Sequence, residues 1–300
     1  MDEKKIEIKN LNKYYGRKQA LCDVNLTIGQ GMFGLLGRNG AGKTTLMKTL
    51  ATLLNKNSGE ITVCGIPIEN AREIRKITGY LPQDFSMYPR MTVYEAMDYL
   101  GILSELDGMT RKQRIPMLLE KVNLSNNSKT KVKALSGGMK RRLGIAQAIL
   151  HEPKVLIVDE PTAGLDPEER IRFRNLLCDM ANDRIVLLST HIVGDIEATC
   201  EKIAILDDGK LLYNGLTNEL VKTAEGKIFS ISVSKKELPV FKERYIVTSM
   251  LTLADNVTIR LIADEKPSQT AVQCPPTIED AYILCMHTSG VEKQRLGGEQ

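Results

Sequence analysis

Apolar and polar positions alternate at Lys5-Ile6-Glu7-Ile8 and at Val24-Asn25-Leu26-Thr27-Ile28, the period of half-buried strands. Between them, Tyr14-Tyr15-Gly16 predicts a turn. Gly31-Met32-Phe33-Gly34-Leu35-Leu36 is a continuous apolar run fit for a buried strand, and Thr45 to Ala51 reads as the helix that follows. Gly59 to Gly65 predicts a short strand, and Ile77 to Leu81 another that stops at Pro82. From Thr92 to about Leu150 the period turns helical, with Val93, Ala96, Met97 and Leu100 on one face. Within it, the polar and basic stretch from Asn123 to Lys133 predicts a loop. Lys154 to Asp159 and Arg184 to Ser189 are unbroken apolar runs, as strands buried on both faces of a parallel sheet should be. A helix from Pro167 to about Met180 joins them into a βαβ unit. After Leu220, Lys227 to Val233 and Asn256 to Ile262 alternate cleanly, a helix covers Ile278 to Met286, and Ser289 to Gln300 reads as a flexible tail. The expected fold is α/β: a domain over 1–221 with a mostly parallel core sheet, an antiparallel β part and a helical subdomain at about 91–150. A small α+β appendage over 222–300 completes it.

Composition narrows the setting. The 300 residues, 42% of them hydrophobic, can bury a sizeable core. A net charge of +4, from 41 basic and 37 acidic residues, does not call for a nucleic-acid partner. The apolar stretches fall far short of the ~20 residues that span a bilayer, and Met1-Asp2-Glu3-Lys4-Lys5 is too polar for a secretory signal. The six cysteines form no C-x-x-C pair and are expected to be reduced and mostly buried, as in a cytosolic protein.

The chemistry begins at Gly37-Arg38-Asn39-Gly40-Ala41-Gly42-Lys43-Thr44, a phosphate-binding loop placed between a predicted strand and a predicted helix. Its glycines let backbone N–H groups close around phosphate oxygens, and the helix N-terminus adds partial positive charge. Lys43 supplies a point charge for the β and γ phosphates, and Thr44 a hydroxyl for Mg²⁺. Asp159 closes an apolar run, so it lies at a strand's C-terminal end, where ligands gather; its expected role is a Mg²⁺ contact. Glu160 beside it suits a general base for the attacking water. The plainer alternative is a pair of exposed loop carboxylates, and the upstream loop argues against it. In Leu135-Ser136-Gly137-Gly138-Met139, Ser136, Gly137 and Gly138 open a helix and offer a hydroxyl and free N–H groups to an anion. Lys140, Arg141 and Arg142 follow, an unfavourable run in a helix's first turn unless a phosphate docks there. The phosphate loop already takes one side of the nucleotide, so this second surface is expected to bind ATP held by another subunit. No aromatic residues interleave the basic Lys129, Lys131 and Lys133, which argues against nucleic acid.

These motifs together resemble the ATP-binding cassette (ABC) ATPases over about residues 4–220. The resemblance implies an ATP site made of Gly37, Arg38, Asn39, Gly40, Ala41, Gly42, Lys43, Thr44 and Thr45. It implies Tyr15 stacked on adenine, with Tyr14 the alternative, and Gln83 in contact with both Mg²⁺ and the attacking water. His191 corresponds to the residue that senses the γ-phosphate; His151 and His287 have no such setting and are expected to be structural. Asp159 to Pro167 matches the family's Walker B and D-loop, which puts Asp166 at the interface of two cassettes closing head-to-tail over two ATP molecules. Met139 stands where many members have glutamine. Leu135-Ser136-Gly137-Gly138-Met139-Lys140-Arg141-Arg142-Leu143 and Pro276 to Tyr282 are similar to the drug- and sodium-exporting branch.

The function so implied is that of the ATPase subunit of an exporter. It would be a homodimer on the inner face of the cell membrane, driving a separate permease, with no nucleic acid bound. Phe85-Ser86-Met87-Tyr88-Pro89 is the surface expected to receive a helical element of that permease. Two alternatives stay open: a soluble ABC-type ATPase acting on a macromolecular assembly, and a nucleotide-binding regulator without turnover. The interval from phosphate loop to signature is too short for a coiled-coil insertion, and one cassette is present rather than two. The intact Lys43, Asp159, Glu160 and His191 argue for turnover.

Overall fold

Strands β1 (Lys5–Tyr15) and β2 (Lys18–Gly29) pair antiparallel, with Ile6 opposite Ile28 and Ile8 opposite Leu26, so the alternating aliphatics share one buried face. Both run much further than their clean alternation, and β1 includes Tyr14 and Tyr15, which the sequence placed in a turn. The cause is irregular pairing: the register shifts between Ile8 and Leu11, between Leu11 and Lys13, and between Lys13 and Tyr14, so the two-residue period breaks while the strand continues.

In chain order there follow β3 (Gly31–Leu36), α1 (Lys43–Leu50), β4 (Ser58–Val63), β5 (Ile66–Pro67), α2 (Ala71–Ile77) and β6 (Thr78–Leu81). Three helices come next: α3 (Val93–Leu103), α4 (Gly108–Lys121) and α5 (Gly137–Ala148). Thr92 and Glu95 form a reciprocal capping box on α3, Asp107 caps α4 and Ser136 caps α5. Then come β7 (Val155–Asp159), α6 (Pro167–Met180), β8 (Ile185–Thr190), α7 (Val193–Glu197), β9 (Lys202–Asp207) and β10 (Lys210–Leu216). The remainder is α8 (Thr217–Lys222), β11 (Ile228–Ser234), α9 (Leu238–Arg244), β12 (Ile246–Leu253), β13 (Asn256–Ile262), β14 (Val272–Gln273) and α10 (Ile278–Gly297). This computed structural model describes residues 4–253 and 255–297. It divides into a unit of residues 1–200 with 204–211 and a unit of residues 201–203 with 212–300.

Two sheets build the first unit. One has the order β2-β1-β4-β5, and the other includes the run β9-β3-β8-β7-β6. Within the second, β3 pairs with β8, β8 with β7, and β7 with β6, all parallel. Leu36 lies opposite Thr190, Asp159 opposite Ser189, and Leu81 opposite Val158. The strands therefore end level, and the loops after them emerge side by side, where an open parallel sheet gathers its ligand groups. Leu35, Leu46, Met47, Leu50, Ile157 and Leu187 belong to one buried cluster, each contributing about 1.5–3 kcal/mol by leaving water.

The second unit is a four-stranded sheet, β12-β13-β11-β14, over a cluster that includes Phe229, Ile231, Val257, Ile259 and Leu261. Strand β12 has no two-residue burial period to read, and its register slips between Val247 and Ser249. Helix α10 continues through Gly297, so most of the segment expected to be a tail is helical backbone; residues 298–300 lie outside the described residues. All six cysteines are thiols, but Cys200 is buried and the other five are half-buried, so fewer lie in the core than expected. Among the described residues no helix is long and apolar enough to cross a membrane.

Candidate active site

Residues 37–42 turn between β3 and α1. Gly42 closes the turn at φ 109°, and a Cβ there would stand 2.6 Å from the Ala20 carbonyl oxygen. A Cβ on Gly37 would stand 2.2 Å from the Leu206 carbonyl oxygen, so no side chain fits at either place. Helix α1 has no side-chain cap and no acidic residue in its first turn, which leaves its N-terminal N–H groups to an anion.

Lys43 lies beneath this turn, donating to the carbonyls of Gly37 at 2.7 Å and Arg38 at 3.2 Å. Its ammonium is also 3.1 Å from Oε1 of Glu160, both side chains being only 5% exposed. That contact is one of charge, since no aligned hydrogen bond reaches Oε1. Glu160 Oε2 accepts from Nδ1 of His191 at 2.7 Å; a carboxylate can only accept, which puts the proton on Nδ1. Glu160 itself adopts φ 47°, a left-handed conformation costing about 1–3 kcal/mol for such a residue and found where a side chain must be aimed.

Asp159 is fully buried, and Ser189 on the neighbouring strand donates to its Oδ1 at 2.5 Å. The same hydroxyl accepts from the backbone N–H of Glu160 at 3.0 Å, so one serine orients both carboxylates. Among the described residues Asp159 Oδ2 has no hydrogen-bond partner. An orphaned acceptor at a strand's end fits a hard cation such as Mg²⁺ or its water. Among the described residues no group of three His, Cys, Asp or Glu could hold a metal alone. Such a cation would therefore lean on the hydroxyl of Thr44, the amide of Gln83 and the oxygens of a nucleotide.

A cavity of about 560 Å³, the size of a small-molecule site, opens over Lys43, Thr44, Gln83 and Glu160, while Asp159 and His191 are not in its lining. Tyr15, Arg38, Asn39, Gly40, Gly42, Lys43, Thr44, Thr45, Gln83 and Glu160 line it. Tyr15 is 48% exposed and carries the Lys13 ammonium 5.5 Å from its ring centre. Tyr14 is not in the lining, so the strand's alternation chooses between the two tyrosines. Lys18, Gln19, Ala20, Asp208 and Gly209 also line the cavity and were missed from the sequence. The last two form a turn fastened to the phosphate loop, Gly209 N–H donating to Ala41 O at 2.9 Å. Asp207-Asp208-Gly209-Lys210 carries the Asp-Gly turn signal that could have marked it.

Ser136 and Gly137 are exposed and, with Gly138, lie outside this cavity's lining. The Ser136 hydroxyl accepts from the Met139 N–H at 3.2 Å. Of the three cations after it, two are not offered to an external phosphate. Arg141 donates to the carbonyl of Gln83, and Arg142 to that of Val122 while facing Glu169, which offsets the dipole penalty internally. Asp166 is exposed and caps α6, accepting from the Glu169 N–H at 2.9 Å. His151 is half-buried against the Thr78 carbonyl, where burial lowers its pKa. His287 lies in the second unit.

Residues 21–163 match the ABC transporter family profile. The chain is 35% identical to the ABC transporter ATP-binding protein YxlF of Bacillus subtilis, over 82% of each chain. The chain belongs to the ABC transporter ATPase family. It is also 33% identical to the Nod factor export ATP-binding protein I of Rhizobium meliloti, covering 93% of this chain and 87% of that one. A solved dimeric bacterial ABC transporter cassette superposes with a TM-score of 0.65 at 26% identity, over 70% of this chain and 98% of that one. As an ABC ATPase, the chain binds and hydrolyses ATP.

Proposed function

We propose that this ABC ATPase is the motor subunit of an exporter: two copies close head-to-tail over two ATP molecules and drive a separate permease from the cytoplasmic face of the membrane. One observation carries the reading. The turn at Ser136, Gly137 and Gly138 opens an exposed helix N-terminus, yet it does not line the cavity of its own chain. A surface built to meet an anion, and facing none of its own, is completed by a second copy. The Rhizobium relative is a Nod factor export protein, which favours the same direction of transport here.

The geometry is consistent with the following roles. Tyr15 stacks on the adenine, Lys43 and the 37–45 backbone hold the phosphates, and Glu160 takes a proton from the attacking water. Without nucleotide, Lys43 and His191 both grip Glu160. A γ-phosphate competes for Lys43 and for His191, and so frees the carboxylate to turn to water. Mg²⁺, held by Thr44, Gln83 and Asp159, would supply charge neutralisation at the phosphates. Asp166 meets the partner cassette.

The permease surface needs one revision. Met87 is only 9% exposed and contributes as a cavity wall, whereas Tyr88 is 46% exposed and stands edge-on to Tyr99 with ring centres 5.1 Å apart. Phe85, Ser86, Met87 and Pro89 line two shallow cavities beside it, of about 240 and 380 Å³, suited to side chains of a docked helix. The test has two parts. The Glu160→Gln chain, given ATP and Mg²⁺, should run as a dimer by light scattering, and Ser136→Phe should return it to monomer. Tyr88→Asp should abolish recovery of a multi-span membrane protein with the tagged chain. A monomer at every ATP concentration would defeat the dimer, and unchanged recovery would defeat the permease surface.

A further inference from the structure

Arg141 is turned away from the signature turn that precedes it. Its Nη1 donates to the carbonyl of Gln83 at 2.5 Å and its Nη2 to that of Ala163 at 3.5 Å. Both acceptors are main-chain atoms, so the Gln83 amide stays free to face the cavity. Ala163 sits midway between Glu160 and Asp166. The Thr162 hydroxyl beside it is held by the buried Asp195 at 2.5 Å. Beyond Glu160, the loop is held to the core through Thr162 and to α5 through Ala163. Burial pulls the Arg141 pKa below the ordinary value, while the charges of Asp84, Asp159 and Glu160 raise it again. Arg142 cannot substitute, because it engages Val122 and Glu169.

We infer that Arg141 is a positioning residue that ties the signature helix of one copy to the water-side loop of its own ATP site and to the interface loop, coupling the two sites of the dimer. The inference rests on the dimer proposed above. When Ser136 to Gly138 engage the partner's nucleotide, any shift of α5 is passed through one guanidinium to Gln83 and to the segment between Glu160 and Asp166. A guanidinium can serve two carbonyls from a fixed planar fork; a lysine ammonium holds such a geometry poorly.

Arg141→Ala and Arg141→Lys, assayed in steady-state ATPase measurements over a range of ATP concentrations, test this. Arg141→Ala should lower kcat about tenfold while the KM for ATP stays within about twofold, the split expected when positioning rather than binding is lost. Its Hill coefficient should fall toward unity, and Arg141→Lys should recover less than half of the lost rate. A merely structural arginine would move melting temperature without moving cooperativity. Arg141→Ala with wild-type kcat and Hill coefficient would overturn the inference. Were Arg141→Ala to misfold, full wild-type kinetics in Arg141→Lys would overturn it equally. A Glu160→Gln chain that retains Arg141 and stays monomeric with ATP would remove the dimer itself and this inference with it, which separates the two failures.

Discussion

Glu160→Gln removes one charge from the site and keeps its shape. In the nucleotide-free chain that charge offsets the Lys43 ammonium at 3.1 Å, with both side chains 5% exposed. Breaking a buried pair costs about 3–5 kcal/mol when the survivor is left uncompensated. Lys43 is not left so: it keeps the Gly37 and Arg38 carbonyls. The expected loss is therefore about 2 kcal/mol. In a unit of about 200 residues this lowers the melting midpoint by about 4–8 °C. MgATP brings phosphate oxygens to Lys43, and a ligand that binds only the folded state adds stability. The deficit should then shrink or reverse with saturating MgATP, since the variant does not consume it. Turnover should drop by about 10²–10⁴, the contribution of a positioned general base. Melting curves with and without MgATP, beside a phosphate-release assay, measure both effects. A glutamine variant that melts no lower than wild type without nucleotide would refute the Lys43–Glu160 argument, and undiminished phosphate release would refute the role of the base.

Two further outcomes are open to direct measurement. Tyr15→Ala should raise the KM for ATP about tenfold through lost stacking, while Tyr15→Phe stays within about twofold; a larger effect from Tyr14→Ala would reverse the assignment of the two rings. In the second unit, burial raises the pKa of Asp280, but hydrogen bonds from Arg260, Thr248 and Thr277 outweigh it and hold the carboxyl below 3.8. Its contribution is present in full above the ordinary aspartate pKa and is lost as pH falls through the lower folded value. The melting difference between wild type and Asp280→Asn should thus be constant above about pH 5 and shrink under more acid conditions; a difference that persists unchanged to pH 2 would contradict this.

Much of the candidate site was legible because its chemistry is contiguous in the chain. A glycine loop between an apolar run and a helix specifies a phosphate cradle by local backbone requirements alone, and Gly31 to Leu50 folds as that strand, turn and helix. Asp159 was placed at a strand's end by the apolar run before it, and Ser136 at a helix start by its hydroxyl and the glycines after it. These inferences need only neighbours along the chain.

What tertiary structure decided involves residues far apart in sequence or a break in period. The pairing of Lys43 with Glu160 and the serine at position 189 that orients both carboxylates arise because parallel strands end level, and the turn at Asp208 and Gly209 fastens the phosphate loop from far along the chain. Bulges in β1 carried the strand beyond the point where alternation stops, and β12 has no two-residue burial period to read. Which of Tyr14 and Tyr15 faces the cavity, whether Met87 or Tyr88 meets solvent, and where Arg141 spends its five donors depend on packing against partners that no local pattern names. Residue types and their order set the candidate chemistry of this chain; the level ends of a parallel sheet decided which of those residues meet.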